Sequence, residues 1–198
     1  MSKEERMQEL KDRIVKEGKV LPGNIIKVDG FLNHRIDTEL MDHIAEEFGK
    51  HFNMDEVTMI LTAEASGIAL SAIVAQHFHK PMIFAKKAKS DNIGGGLYQS
   101  DIFSYTYKKK VTLLVSKEWL SADDRVLIVD DFMANGEAMR GLCDIVEAAG
   151  ATLVGIGCAV EKGFQGGGDR LRAAGVNLHS LAIIESAEPG NIVFRDEI

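Results

Sequence analysis

Hydrophobic residues in this 198-residue chain form short uninterrupted runs that alternate with segments of helical spacing. The runs predict strands buried on both faces, because a strand without polar alternation leaves no side for water. Strands alternating with helices predict an α/β fold, in which helices flank a central parallel twisted sheet with right-handed crossovers. The predicted strands are 57–62, 82–85, 126–129 and 151–160, and the predicted helices are 3–17, 38–51, 67–79 and 137–149.

Other patterns complete this picture. Alternating residues at 97–107 and 111–116 flank three lysines and predict a projecting hairpin, inside a flexible segment of about 86–116, that could serve as a lid. We expect Asp37 to cap the helix 38–51 and Asp169 to cap a short helix ending at 174. Shorter strands are predicted at 24–28, 176–184 and 192–194. The absence of a linker or repeat predicts a single domain over residues 1–198.

Composition narrows the class of protein. An apolar content of 45% suits one domain with a substantial core, and a net charge of −7 argues against a nucleic-acid partner. Cys143 and Cys158 lack CxxC spacing, which favours free thiols in a reducing compartment, the cytoplasm. No run approaches the roughly 18 apolar residues of a membrane span, so we expect no membrane partner. The six histidines show no metal-binding spacing.

Candidate chemistry centres on residues 125–141, RVLIVDDFMANGEAMRG. A buried strand is followed by Asp130 and Asp131, then by a loop of small residues that leads into a helix. Such a loop exposes backbone N–H groups at the positive end of the helix dipole, which is an anion site. Carboxylates can accept hydrogen bonds from ribose hydroxyls, so a ribose 5-phosphate would match both parts. The alternative is a buried strand that ends in a solvated acidic turn.

A second strand, small-residue turn and helix occur around residues 64–67, where Ala65, Ser66 and Gly67 predict another anion site. Lys86 follows the next strand at the same predicted sheet edge, with Lys87 beside it. Positive charge there would suit a pyrophosphate, although a solvated run of lysines is the other interpretation. Ligands of open parallel sheets bind at this carboxyl edge.

The segment 125–141 resembles the motif by which type I phosphoribosyltransferases bind 5-phosphoribosyl 1-pyrophosphate (PRPP). The resemblance implies that the catalytic pair Asp130 and Asp131 faces the ribose 2- and 3-hydroxyls. It also implies a Mg²⁺ cofactor, held mainly by PRPP and not by side chains. Asn135 stands where the motif usually has a Thr. Ala134 stands where the hypoxanthine-guanine enzymes carry an Asp that handles a purine proton, so no general acid or base is assigned. The residues implied to wrap the 5-phosphate are Ala134, Asn135, Gly136, Glu137 and Ala138.

Residues 25–34 (IIKVDGFLNH) and 161–165 (EKGFQ) further resemble bacterial xanthine phosphoribosyltransferases. By this resemblance the purine stacks on Phe132, Lys162 meets an exocyclic oxygen, and Ile26 and Asn33 line the base pocket. Xanthine carries oxygens at C2 and C6, for which Lys162 and Asn33 can both donate hydrogen bonds. The resemblance also implies a hood made of 1–36 and about 163–198, and a lid carrying Ser104 and Tyr105.

The expected activity is transfer of the 5-phosphoribosyl group from PRPP to xanthine, giving xanthosine 5-monophosphate and pyrophosphate in purine salvage. The resemblance implies a homodimer. Two alternatives stay open: a hypoxanthine-guanine phosphoribosyltransferase, and a non-catalytic PRPP-sensing regulator. The acidic charge and the lack of a helix-turn-helix motif argue against the regulator. Taken singly, Phe132 could be ordinary core, Asn33 a turn residue and Lys162 a surface charge.

Overall fold

The computed structural model describes residues 3–88, 96–104 and 109–195. Its helices are α1 (Lys3–Glu17), α2 (Thr38–His51), α3 (Gly67–His77), α4 (Glu137–Ala148) and α5 (Gly167–Ala173), with a π-helical turn at Asp29–Asn33 and a 3₁₀ turn at Gly163–Gln165. Its strands are β1 (Lys19–Leu21), β2 (Ile25–Lys27), β3 (Met59–Ala63), β4 (Met82–Ala85), β5 (Leu97–Ser104), β6 (Lys109–Ser116), β7 (Arg125–Met133), β8 (Thr152–Lys162), β9 (Leu178–Glu188) and β10 (Asn191–Phe194).

The main sheet has the strand order β10-β9-β8-β7-β3-β4. All neighbours are parallel except β10, which runs antiparallel to β9. From β3 the chain moves outward to β4, and from β7 it moves in the opposite direction to β8 and β9. The strand order therefore reverses between β3 and β7, and their carboxyl ends flank the crevice where such sheets bind ligands. The predicted α/β class is confirmed.

Helices cover both faces of this sheet, which explains the uninterrupted apolar runs. Leu127 and Val129 of β7 belong to a core shared with α1, α2 and α3. Val126 and Ile128 belong to a second core, shared with α4 and the β5–β6 hairpin. Successive residues of a strand point to opposite faces, so each apolar residue of the run is needed to bury one face or the other.

Several local predictions are confirmed. Asp37 precedes α2, and its Oδ1 accepts a hydrogen bond from the Leu40 backbone N–H at 3.3 Å. The predicted hairpin forms as the antiparallel pair β5–β6, and Lys109 and Lys110 belong to β6 rather than to the turn. Its base joins the sheet edge through a bridge between Lys86 and Leu114.

The predicted capping role of Asp169 is wrong. Helix α5 begins at Gly167, after Gly166 in the left-handed conformation (φ 68°), so Asp169 lies inside its first turn. The Asp169 carboxylate instead pairs with Arg195, whose Nη1 lies 2.7 Å from Oδ1, and this pairing lowers the pKa of Asp169. Asp169 therefore forms an ion pair with Arg195, the residue after β10, and not the capping hydrogen bond within its own helix that the sequence predicted.

Both cysteines are free thiols, as predicted. Burial raises the pKa of Cys143 to about 11 and that of Cys158 well above its usual value. In the ranges that the structure describes, no helix has both the length and the apolar character needed to span a bilayer.

Candidate functional site

A cleft of about 490 Å³ opens at the carboxyl ends of β3 and β7. It brings together residues that are far apart in sequence, including most of those selected from the sequence. The predicted residues that line it are Ile26, Asn33, Ser66, Asp130, Phe132, Ala134, Asn135, Gly136, Glu137 and Ala138. The hood-like N-terminal segment and the phosphate-type loop therefore face the same space.

The two aspartates lie on β7 itself and not in a loop beyond it. Asp130 lines the cleft, whereas Asp131 is only 1% exposed and lies beneath it. Asn33 covers Asp131, and its Nδ2 donates a hydrogen bond to Asp131 Oδ2 at 3.0 Å. Asp131 Oδ1 is buried and has no hydrogen-bond partner among the described residues. Alternation along the strand explains why neighbouring carboxylates have such different surroundings.

Asp130 is the most electrostatically perturbed group of the cleft. Burial is the main cause that raises the pKa of Asp130 well above its ordinary value, and repulsion from the Asp131 carboxylate raises it further. The Asp131 backbone N–H donates to Asp130 Oδ1 at 3.0 Å, which offsets the effect in part. A ligand that supplies hydroxyl donors or a cation would favour the ionised carboxylate.

The small-residue loop leads into α4 through Gly136, whose φ of 77° is one that side chains rarely tolerate. Within the described residues, no side chain caps the first turn of α4. The backbone N–H groups of that turn are therefore available to an anion, and the helix dipole favours negative charge at the same place. The start of α4 therefore has the backbone donors that the predicted phosphate cradle requires, and the cradle itself stays a prediction.

The turn between β3 and α3 differs in detail from its prediction. Ser66 lines the cleft and the Glu64–Ala65 peptide bond is cis, but Ala65 and Gly67 do not line the cleft. Gly67 lies against the Asp130 carboxylate and the Thr62 hydroxyl, and a Cβ atom at Gly67 would overlap both. Gly67 thus provides space for the Asp130 carboxylate rather than a surface of the cleft.

Among the residues that the structure describes, the lysine that lines the cleft is Lys87. Its side chain lines the cleft together with Glu64, and its backbone N–H donates to Glu64 Oε1 at 2.5 Å. Lys86 exchanges two backbone hydrogen bonds with Leu114 of the hairpin and is absent from the lining. Adjacent residues at a strand end point in opposite directions, so the run of lysines alone could not decide which one faces the ligand.

At the base end, Lys162 lies over the Phe132 ring, with Nζ 5.5 Å from the ring centroid. Lys162 Nζ also donates to the Asn24 carbonyl oxygen at 2.9 Å, which links β8 to the β1–β2 turn. Burial lowers the pKa of Lys162. Ile26 and Phe132 line the cleft, whereas Lys162 does not line it and is linked to it through its position over the Phe132 ring.

Sequence reasoning missed several side chains of the cleft wall. The hairpin contributes Ile102, Phe103 and Val111, and the core contributes Met133 and Met139. The period-two pattern of β5 and β6 was the available signal for Ile102 and Val111, which are paired across the hairpin and share one face, but not for Phe103, which follows Ile102 on the other face. Ser104 ends β5, and Tyr105 lies outside the described residues.

Comparison with known proteins places the chain among relatives of similar length. The phosphoribosyl transferase domain family matches residues 31–172. The chain is 53% identical over 192 residues to xanthine phosphoribosyltransferase of Bifidobacterium animalis subsp. lactis, covering 96% of this chain and 100% of that protein. Xanthine phosphoribosyltransferase of Lachnoclostridium phytofermentans is 52% identical over 193 residues, with the same coverage of both chains.

Solved structures share the fold. Adenine phosphoribosyltransferase of Saccharomyces cerevisiae, complexed with adenine and an iminoaltritol bisphosphate, has a TM-score of 0.75 at 20% identity, covering 90% of this chain and 99% of that one. The Giardia lamblia enzyme complexed with 9-deazaadenine has a TM-score of 0.73 at 21% identity, covering 87% and 96%. At these identities the likeness extends to the fold alone.

Proposed function

This chain belongs to the xanthine phosphoribosyltransferase family, and from that premise we propose that it transfers the 5-phosphoribosyl group of PRPP to xanthine. The products are xanthosine 5-monophosphate and pyrophosphate. One observation carries the proposal: a single cleft joins Asp130 and the uncapped start of α4 to the Phe132 ring. The cleft would therefore accommodate the three parts of a purine nucleotide, with the ribose at Asp130, the 5-phosphate at the start of α4 and the purine at Phe132.

In the proposed complex, the 5-phosphate accepts hydrogen bonds from the backbone N–H groups of 134–138. Asp130 accepts hydrogen bonds from the ribose hydroxyls, and Asp131 supports Asp130 and the base-end residue Asn33. Ser66 and Lys87 orient the pyrophosphate, with Ala65, Gly67 and Lys86 shaping the surrounding turn and strand end. Fixed dipoles and charges placed in this way stabilise charge that develops during the reaction.

The reaction breaks the bond between ribose C1 and the pyrophosphate oxygen, and the electron pair leaves with pyrophosphate. A xanthine ring nitrogen then donates its electron pair to C1 from the opposite face, which inverts the configuration. The ribose is cationic between these events, so water must be excluded. We propose that the β5–β6 hairpin closes over the cleft as a lid and that Ser104 and Tyr105 take part in this closure. Ala134 offers no proton acceptor, so we propose that xanthine, which is more acidic than hypoxanthine, enters as the anion and has no ring proton to lose when the bond to C1 forms.

Magnesium is the proposed cofactor. Oxygen ligands suit this hard cation, and the Asp130 and Glu137 carboxylates line the cleft near the expected phosphates. PRPP would supply most of the ligands of the Mg²⁺ ion, since the described residues contain no cluster of three or more side chains that could hold a metal. When bound, the cation would neutralise charge on the departing pyrophosphate.

Base selection is proposed to depend on two hydrogen-bond donors, Lys162 beside the Phe132 ring and Asn33 in the lining of the cleft. Lys162 Nζ can donate to one exocyclic oxygen of xanthine, and the Asn33 amide can donate to the other. Guanine carries an amino group at C2, where a facing donor would leave both groups unpaired at about 1–3 kcal/mol each. Ile26, which lines the same cleft, would pack against the purine ring.

We expect xanthine to be the preferred base in an initial-rate assay with PRPP and Mg²⁺, where xanthine, guanine, hypoxanthine and adenine are supplied separately at equal concentration. Two facing donors predict a preference for xanthine over guanine of about 10-fold or more. Preference for hypoxanthine and guanine would contradict the base assignment and retain the chemistry. PRPP binding without turnover of any base would instead favour a PRPP-sensing regulator.

A cytoplasmic homodimer with a hood formed by 1–36 and about 163–198 is the proposed assembly. Phe84, on the outermost strand β4, is 38% exposed, and an exposed aromatic side chain favours association. We expect light scattering to give twice the 21.7 kDa mass of one chain. A mass of one chain at micromolar concentration would contradict the dimer.

A further inference from the structure

Helix α5 lies directly behind the loop proposed to bind the 5-phosphate. A Cβ atom at Gly167 would lie 2.5 Å from the Ala134 carbonyl oxygen and 2.7 Å from the Gly136 nitrogen. These distances are shorter than any normal contact, so only a glycine allows α5 to approach the loop this closely. The loop therefore rests on the backbone of α5.

Arg170 adds a second contact between α5 and the same loop. Its Nη2 donates a hydrogen bond to the Asn135 carbonyl oxygen at 3.0 Å. The peptide bond is planar and trans, so the Asn135 C=O and the Gly136 N–H point in opposite directions. Since Arg170 holds the carbonyl on one side, the Gly136 N–H is directed away from the guanidinium. Asn135 and Gly136 both line the cleft.

A buried ion pair fixes α5 in this position. Glu161 of β8 is 0% exposed, and its carboxylate receives hydrogen bonds from Arg172 Nη1 at 3.1 Å and Nη2 at 2.7 Å. Ser180 of β9 donates to the same carboxylate at 2.5 Å. Gly168 packs against this carboxylate so closely that a Cβ atom there would overlap it. Two parallel strands thus hold the helix that supports the loop.

We propose that α5 is a positioning element for the 5-phosphate, in which Gly167 sets the depth of the 134–136 loop and Arg170 orients the Asn135–Gly136 peptide. The inference rests on the proposed function, because it assigns α5 a part in PRPP binding. Neither residue lines the cleft, so both act through the backbone of residues that do. Their removal should weaken binding of the phosphoribosyl part of PRPP and spare the base and pyrophosphate ends.

The Gly167→Ala variant tests the depth of the loop. Alanine is a better helix former than glycine, so α5 itself should accept the change, while the added methyl group pushes the loop outward. We expect the KM for PRPP to rise roughly tenfold, because hydrogen bonds to the phosphate are lost, with kcat and the KM for xanthine within about twofold. The inhibition constant of ribose 5-phosphate should rise in parallel, and that of pyrophosphate should stay unchanged.

The Arg170→Ala variant tests the orientation of the peptide and avoids buried substitution, because Arg170 is exposed. We expect its KM for PRPP to rise roughly fivefold, with partial recovery in Arg170→Lys, which keeps one donor. Matched controls are Gly96→Ala, whose methyl group would first meet the flexible Lys117 side chain, and Arg125→Ala, which removes a partly exposed arginine paired with Glu56. Both controls should retain the wild-type KM for PRPP.

The outcomes separate this inference from the proposed function. Failure of the wild-type protein to convert any base would refute the proposed function. Active wild-type protein with an unchanged KM for PRPP in both Gly167→Ala and Arg170→Ala would overturn the inference. A parallel decline of kcat, both KM values and the melting temperature would also overturn it, because general destabilisation has no selectivity for ribose 5-phosphate.

Discussion

Replacement of Asp130 with asparagine is expected to reduce turnover severely and to make the ligand-free protein more stable at neutral pH. Asparagine has the same shape and retains an acceptor, but it cannot supply negative charge to the ribose hydroxyls or to the developing cation. Loss of one such preorganised group costs about 10²–10³-fold in kcat. Initial rates with xanthine, PRPP and Mg²⁺ measure this loss.

The gain in stability follows from the raised pKa of Asp130, which burial and the Asp131 charge produce. Between the ordinary pKa of 3.8 and the raised value, the folded protein binds more protons than the unfolded chain. The free energy of unfolding therefore falls as pH rises through this window. Asparagine removes the ionisation, so its benefit should be larger at about pH 7 than at about pH 4.

Calorimetry of the ligand-free Asp130→Asn variant at both pH values checks the gain. For a chain of this size, each kcal/mol changes the melting temperature by about 2–4 °C, so we expect an increase of a few degrees at neutral pH. The control is Asp55→Asn, an exposed carboxylate at the opposite end of β3, which should change neither activity nor pH dependence. A decrease in melting temperature at pH 7, or full activity, would contradict the role of Asp130.

Removal of the Lys162 charge is expected to lower kcat/KM for xanthine by about 10–100-fold. A hydrogen bond from a charged donor contributes about 1.5–3 kcal/mol, and the ammonium also lies over the Phe132 ring. The Lys162→Met variant removes the charge and keeps an apolar stem against Phe132. The hydrogen bond that Lys162 donates to the Asn24 carbonyl oxygen is also lost, so part of the decrease in kcat/KM comes from a less tightly held β1–β2 turn.

Comparison of substrates isolates the contribution of the exocyclic oxygen. Adenine has no such oxygen, so any activity with adenine should be affected least, and the KM for PRPP should change by less than about twofold. Lys117→Met is the matched control, because Lys117 also lies over an aromatic ring, 5.0 Å from the Tyr98 centroid, and Tyr98, unlike Phe132, does not line the cleft. Equal loss with every base, or a selective change in the KM for PRPP, would contradict the assignment.

Local patterns in the sequence were sufficient for the elements that build the site. The apolar run at Val126–Val129 demanded a strand covered on both faces, and α4 was predicted at its observed start, Glu137. Asp37 was recognised as a cap because its hydrogen bond reaches only three residues along the chain. Such features depend on backbone geometry and side-chain period within one segment, and those are present in the residues themselves.

Contacts between distant segments were decided by the order and register of the strands. Asn33 meets Asp131 across 98 residues, and Lys162 meets Asn24 across 138 residues. The resemblance to a family selected Asn33 and Lys162, but no local pattern could show that Asn33 binds a buried carboxylate. The selection of Lys87 over Lys86 likewise depended on how the end of β4 meets the hairpin.

The packing of α5 against the loop 134–136 is the clearest example of a feature that only the tertiary structure determines. No sequence pattern assigned a role to Gly166–Gly168, yet Gly167 is buried against the loop and Gly168 against Glu161. Period and propensity describe how a segment folds on itself, so they predicted the strands, the helices and the loop. Which surfaces then come within contact distance depends on how those elements pack, and packing placed α5 behind the loop.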